Sequence, residues 1–217
     1  MSVFHLKFSN SDSESYIGGE PLVSDISQIP MVPHTNEKQV LLLTLSYDFF
    51  KIPILKEDEV LSIFISCGND FINITRALAV NDNNQSTNLK GEKYATVLIH
   101  KKSSPITDKN LRVLPKSFIS TEPFTPTELK EETSLPGSGS EYSKLNGIPG
   151  WLQDNVFIEP KYQYWLQLNE SDLVKISKEY ENLFRDGIGY LFLNRNIKKM
   201  NITFEPLEAG IFFIQFT

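Results

Sequence analysis

The chain has 217 residues, 40% of them hydrophobic, with 15 Phe, 8 Tyr, a single cysteine and a formal charge of −6. A chain of this length buries roughly 70% of the surface its unfolded form exposes, so a core forms without staples, and the lone Cys67 excludes an intramolecular disulfide or a cysteine zinc cluster. The acidic balance, with no Lys/Arg stripe interleaved with aromatics, argues against nucleic acid, and no apolar run approaches the ~18–20 residues of a membrane helix.

The opening MSVFHLKFSNSDSESY has no basic stretch leading into a long apolar run, so no signal peptide and a cytoplasmic location are expected. Val3–Phe8 alternates Val3, His5, Lys7 against Phe4, Leu6, Phe8, the pattern of a half-buried strand. Gln39–Tyr47 and Glu59–Ser66 are short aliphatic strands, the second ending at the turn signal Cys67-Gly68-Asn69-Asp70. Phe71–Val80 starts strand-like and finishes with helix-tolerant residues, and Tyr94–His100 follows as a strand. From Lys101 to Asn146 prolines recur and Pro136–Ser140 reads PGSGS, which predicts a long connector (about 101–144) with one strand at Leu111–Val113. Gln163–Leu168 is an aromatic-rich strand. Glu170–Leu183 is expected as the one clear helix, with Leu173, Ile176, Tyr180 and Leu183 on a 3–4 spacing. Ile188–Asn194, Met200–Glu205 and Gly210–Phe216 are expected as three strands, with hairpin turns at Asn194-Arg195-Asn196 and Glu208-Ala209-Gly210.

A weak internal repeat runs through this order. Gly19-Glu20-Pro21 recurs as Gly147-Ile148-Pro149, and an aliphatic strand follows each, Val40–Ser46 and Tyr164–Asn169. The half-repeats span about 17–100 and 145–217 within a single domain, 1–217.

The stretch Gly147-Ile148-Pro149-Gly150-Trp151-Leu152-Gln153 resembles the G-x-P-x-W-x-Q signature of the YwqG-like bacterial family of unknown function. Gln163–Leu168, the segment Arg185-Asp186-Gly187-Ile188-Gly189-Tyr190-Leu191-Phe192 and the closing Phe213-Ile214-Gln215-Phe216 match further family segments in order, and Ile17-Gly18-Gly19-Glu20-Pro21 is similar to the first G-G-x-P. Asn146 and Arg185 stand where glycine is usual, and the last motif lacks its tryptophan. The resemblance implies an α+β, β-dominated fold in which two related sheet-containing halves pack as one globular domain. It implies no reaction.

Read as residues, the motif positions suit structure first. Gly147 and Pro149 make a turn, Trp151 packs over it and Gln153 satisfies backbone groups; the functional version is a ligand cleft lined by Trp151 and Gln153. Asp186 bonds turn amides, or serves as a general base or metal ligand. Gln167 and Gln215, unusual on strands, need partners for both amide ends. The neighbouring acids Glu131 and Glu132 read as solvated and, with Asp172 and Glu179, as an acidic face for a partner. His5, His34 and His100 have no metal-ligand spacing, Cys67 lacks an activating neighbour, and no nucleophile elbow, P-loop or dinucleotide fingerprint occurs. No catalytic residue, metal or cofactor is therefore expected. The expected function is a non-enzymatic protein-binding module, specifically a bacterial immunity protein that neutralises a basic toxin, with no nucleic acid or membrane partner. The alternative is a small-ligand site between the two halves, where Trp151, Gln153, Gln167 and Asp186 converge.

Overall fold

Long aliphatic runs flanked by turn residues become strands here, and the strands close on themselves. The computed structural model describes residues 2–50, 54–67, 77–134, 136–200, 202 and 205–216. In chain order the strands are β1 (Phe4–Ser9), β2 (Tyr16–Ile17), β3 (Val40–Ser46), β4 (Glu59–Ile65), β5 (Ala95–Lys101), β6 (Ser117–Pro123), β7 (Lys144–Leu145), β8 (Tyr162–Asn169), β9 (Ile188–Asn194) and β10 (Leu207–Gln215). They form one closed barrel in the order β1-β6-β2-β3-β4-β5-β10-β9-β8-β7, every pair antiparallel. Among the described residues, α-helix longer than one turn is confined to α1 (Pro126–Glu132) and α2 (Glu170–Val174). No helix among them is long and apolar enough to cross a membrane.

This corrects the α+β expectation. The chain does not pack two sheet-containing halves against each other; a single ring of strands carries the whole fold. Within the ring the strand order maps onto itself when each strand is exchanged with the one five places later. The consequence is an exchange at the seams: β1 pairs with β6 and β7, while β6 pairs with β1 and β2. Matching details accompany the order. The ladders β3–β4 and β8–β9 each slip by one residue, at Leu42 and at Trp165. The Leu42 carbonyl accepts from Gly18 N–H at 2.9 Å and the Trp165 carbonyl from Asn146 N–H at 2.7 Å. Gly18 and Gly19 have φ of 64° and 74°, and Asn146 and Gly147 have 66° and 85°, so the chain leaves both two-residue strands, β2 and β7, through left-handed backbone.

Antiparallel strands usually alternate buried and exposed, yet β3 and β4 are buried throughout. The reason is that both faces are covered. One face fills the barrel with Leu6, Leu61, Ile63, Leu166, Leu191 and Ile214 among others. On the outer face of the first meander, β3–β4–β5, Leu22, Val23 and Ile29 lie over Leu41, Phe64 and Leu98. On the second, β8–β9–β10, Trp151, Leu152, Val156 and Ile158 lie over Tyr190, Phe192 and Phe213. Each such fully buried aliphatic or aromatic side chain contributes about 1.5–3 kcal/mol.

Four local expectations are corrected. The connector is not structureless: it holds β6 and α1, the latter opened by a capping box between Thr125 and Glu128. Leu111–Val113 is not a strand, because Leu111 N–H closes a turn on the Asp108 carbonyl and Val113 points to solvent. The expected helix Glu170–Leu183 stops at Val174, and a separate 3-10 turn covers Lys178–Tyr180. Glu208-Ala209-Gly210 is no hairpin turn but a bulge inside β10. Gly68 to Arg76, which carry the turn after Cys67 and most of Phe71–Val80, lie outside the described residues, as do 201, 203 and 204 in the expected Met200–Glu205 strand; Met200, Ile202 and Glu205 are not in a strand.

Candidate functional site

Four of the six residues singled out in the sequence lie along the outer face of the second meander: Glu132 and Gln167 in one buried network, with half-buried Trp151 and exposed Gln153 beside it. α1 ends at Glu132, and the chain returns through Ser140 to β7, so Glu132 faces Lys144; the pair is 1% and 0% exposed. Lys144 Nζ reaches both Glu132 oxygens at 2.7 Å and the Ser140 carbonyl at 2.8 Å. The carboxylate also accepts from Ser140 N–H at 2.8 Å, Ser140 Oγ at 2.6 Å and Ile148 N–H at 2.7 Å. A side chain at Gly147 would put its Cβ 2.4 Å from Glu132 Oε1, so the left-handed glycine also makes room for the ion pair. Burial pushes the Glu132 carboxyl up, but Lys144, Ser140 and the Ile148 N–H outweigh it and hold the group below its ordinary value. Burial pushes the Lys144 ammonium down, and Glu132 offsets only part of that.

Ser140 hands the network on to Gln167. This fully buried amide donates from Nε2 to the Ser140 and Tyr142 carbonyls at 3.0 and 2.9 Å, and Oε1 accepts from Gly150 N–H at 2.8 Å and Tyr164 Oη at 3.1 Å. Both ends are thus occupied. Tyr190 Oη donates to the Gly150 carbonyl at 2.7 Å. Gln215 Oε1 accepts from the N–H groups of Leu152 and Gln153 at 3.1 and 3.3 Å, while its Nε2 donates to the Val80 and Asp154 carbonyls. Gln153 Nε2 donates to the Phe216 carbonyl at 3.1 Å. Trp151 is half-buried and lies over Tyr190 at 5.0 Å between ring centroids, with Phe192 and Phe213 at 6.3 and 6.4 Å. The motif residues therefore fasten the segment 146–154 to the barrel wall.

Asp186 and Glu131 stand outside this network. Asp186 is exposed with φ 56°, and its N–H donates to buried Glu170, which also accepts Phe184 N–H at 3.1 Å. Burial holds the Glu170 carboxyl above its ordinary value. Glu131 points to solvent beside buried Glu132, so the two neighbours have opposite fates and Glu132 is not part of an exposed acidic face. Sequence reasoning missed Lys144, Ser140, Tyr164 and Tyr190. A lysine inside the otherwise strand-like Ser143–Leu145 was the available signal, because a buried ammonium demands a carboxylate.

The first meander carries a smaller polar cluster at the matching place. His100 Nδ1 lies 2.9 Å from the Lys101 carbonyl, which only accepts, so Nδ1 holds the proton and Nε2 accepts from Ser62 Oγ at 2.9 Å. Ser62 and His100 are 0% and 2% exposed. Burial holds the His100 imidazole below its ordinary pKa. The folded chain thus refuses a proton that the unfolded chain takes near pH ~6.5, so stability falls as pH drops through that range. His100→Gln should flatten the fall in urea-melt stability between about pH 7 and 5; an unchanged slope would assign it to another group. Cys67 is buried, its thiol pushed up to about 11 by burial, unsuited to attack. Among the described residues no group of three or more His, Cys, Asp or Glu is placed to hold a metal ion.

Two open clefts lie at the exchanged seams. One, about 570 Å³, runs along β1 and is lined by His5 to Asn10, Tyr142, Ser143, Asp172, Lys175 and Ile176. The other, about 450 Å³, runs along β6 and is lined by Asp12 to Ser15, Ser46, Asp48, Phe49 and Ile119 to Thr121. Neither touches Trp151, Gln153, Gln167 or Asp186. The chain matches no protein-family model and no curated protein.

Proposed function

We propose that this chain is a non-catalytic protein-binding module of the YwqG-like kind, in its specific form a bacterial immunity protein that works in the cytoplasm by capping a basic toxin. The observation that carries the reading is the use of the polar motif residues. Gln167, Gln215 and the Glu132–Lys144 pair spend their hydrogen bonds inside the molecule. The Ser62–His100 pair, which has the contact of a hydrolytic dyad, is sealed from substrate. What remains for recognition is surface: a net charge of −6 and open clefts at the seams. An acidic binder gains association rate and orientation on a basic partner. Affinity capture with the purified chain from its native host, followed by mass spectrometry, should return one basic protein. A point-mutant-sensitive hydrolase activity at His100 or Asp186 would sink the reading.

A second reading, a small-ligand site, draws on the β1 cleft, whose walls come from β1 on one side and the α2 turn on the other. Repeated capture of a small metabolite and no protein would favour it.

A further inference from the structure

We propose that the open stretch of β6 docks an extended, lysine- or arginine-bearing segment of the protein partner; this rests on the protein-binding reading above. β6 pairs with β1 over six residues, Phe118 to Pro123, but with β2 only at Ser117 and Phe118. One step further, Ile119 N–H donates to the Ser15 carbonyl at 2.9 Å and the Ile119 carbonyl accepts from Ser13 Oγ at 3.1 Å. In an antiparallel strand alternate residues turn both backbone groups to the same side. Thr121 therefore aims its N–H and C=O away from β1, into the 450 Å³ cleft, where no strand of the described chain pairs with it. Pro123 has no N–H and ends the open stretch. A backbone pair left open beside a cleft is what an added strand completes.

Charge selects the occupant. Asp12, Glu14 and Asp48 line this cleft and no basic side chain does. Glu14 holds Lys102 at 2.6 Å, whereas Asp12 and Asp48 make no ion pair among the described residues. The corresponding cleft along β1 has the same backbone plan, since Leu6 N–H donates to the Ser143 carbonyl at 2.9 Å and β1 meets β7 only at Phe4 and His5. Its lining carries His5, Lys7 and Lys175 against one acid, Asp172, and both lysines are already paired, Lys175 with Asp172 at 2.8 Å and Lys7 with Glu122 at 3.0 Å. The two clefts share an architecture, but of the two it is the β6 cleft that carries acids without an ion pair among the described residues, so a cationic strand has a reason to enter one and not the other.

The test uses the full chain and a fluorescein-labelled peptide alternating lysine and threonine, read by anisotropy at ~0.05 M and ~0.5 M salt. The peptide should bind at low salt, and Asp12→Lys with Asp48→Lys should weaken it by about tenfold with the melting temperature held. Lys7→Glu with Lys175→Glu, in the other cleft, should leave binding unchanged. N-methylating alternate peptide amides should abolish binding, because it removes the donors that an added strand supplies. Equal binding of the N-methylated peptide, or no effect of the Asp12/Asp48 reversal, overturns the proposal. A native partner captured equally by wild-type and reversed chains overturns the docking site while the protein-binding reading stands; empty capture by the wild-type chain overturns both.

Discussion

Glu132→Ala should destabilise the protein by about 3–5 kcal/mol, because it leaves the Lys144 ammonium buried without its counter-charge. Urea melts measure this directly. The double replacement Glu132→Leu with Lys144→Met should recover most of the loss, since two apolar side chains of similar volume remove both charges together. A single mutant as stable as the wild type would mean that water reaches Lys144. The same pair sets an acid limit. Glu132 has a folded pKa below its ordinary value, so its contribution is complete above the ordinary glutamate range near ~4.3 and is lost as pH falls through the depressed value. The Glu132→Leu/Lys144→Met protein should therefore lose less stability on acidification than the wild type.

Trp151→Ala should cost about 2–3 kcal/mol, somewhat below the ~3–5 kcal/mol of a fully buried tryptophan, because Trp151 is only half-buried. The loss comes from its contacts with Tyr190, Phe192 and Phe213 and from loosening the Gly150–Asp154 segment that Gln167 and Gln215 hold by its backbone. Trp151→Phe should retain about half. For a chain of this size, about 2–3 kcal/mol lowers the melting temperature by roughly 4–12 °C. Full stability with lost partner binding would instead place Trp151 in the interface.

Much of the barrel was legible from aliphatic runs alone. Val40–Ser46, Glu59–Ile65 and Ile188–Asn194 are continuous because both of their faces are covered, and continuous apolar runs of that length read as strands. β6 was missed because SFISTEP looks like loop: Pro123 closes it and its polar residues turn outward beside β1. The helix at Glu170–Leu183 was over-read because Leu173, Tyr180 and Leu183 are all buried, yet they reach the core from separate turns rather than one helical face. The glutamines' need for two-ended partners was readable from chemistry; that Glu132 rather than Glu131 turns inward was not, since the choice is made by Lys144 twelve residues on. Closure itself was invisible, because nothing local to β1 shows that its neighbours are β6 and β7.

That exchange of first strands governs how the chain reaches its final state during synthesis. Phe4 is made early, but its ladder partner Pro123 and its other neighbour Leu145 arrive much later. The ring then closes only when Leu207–Gln215 lies between β5 and β9. Folding dominated by such distant pairings takes roughly milliseconds to seconds, even for smaller domains. Until β10 emerges, the β3–β4–β5 meander carries apolar side chains on both faces and an open edge at β5. The nascent chain, far more than the finished barrel, is thus the species exposed to aggregation and the natural client of a chaperone.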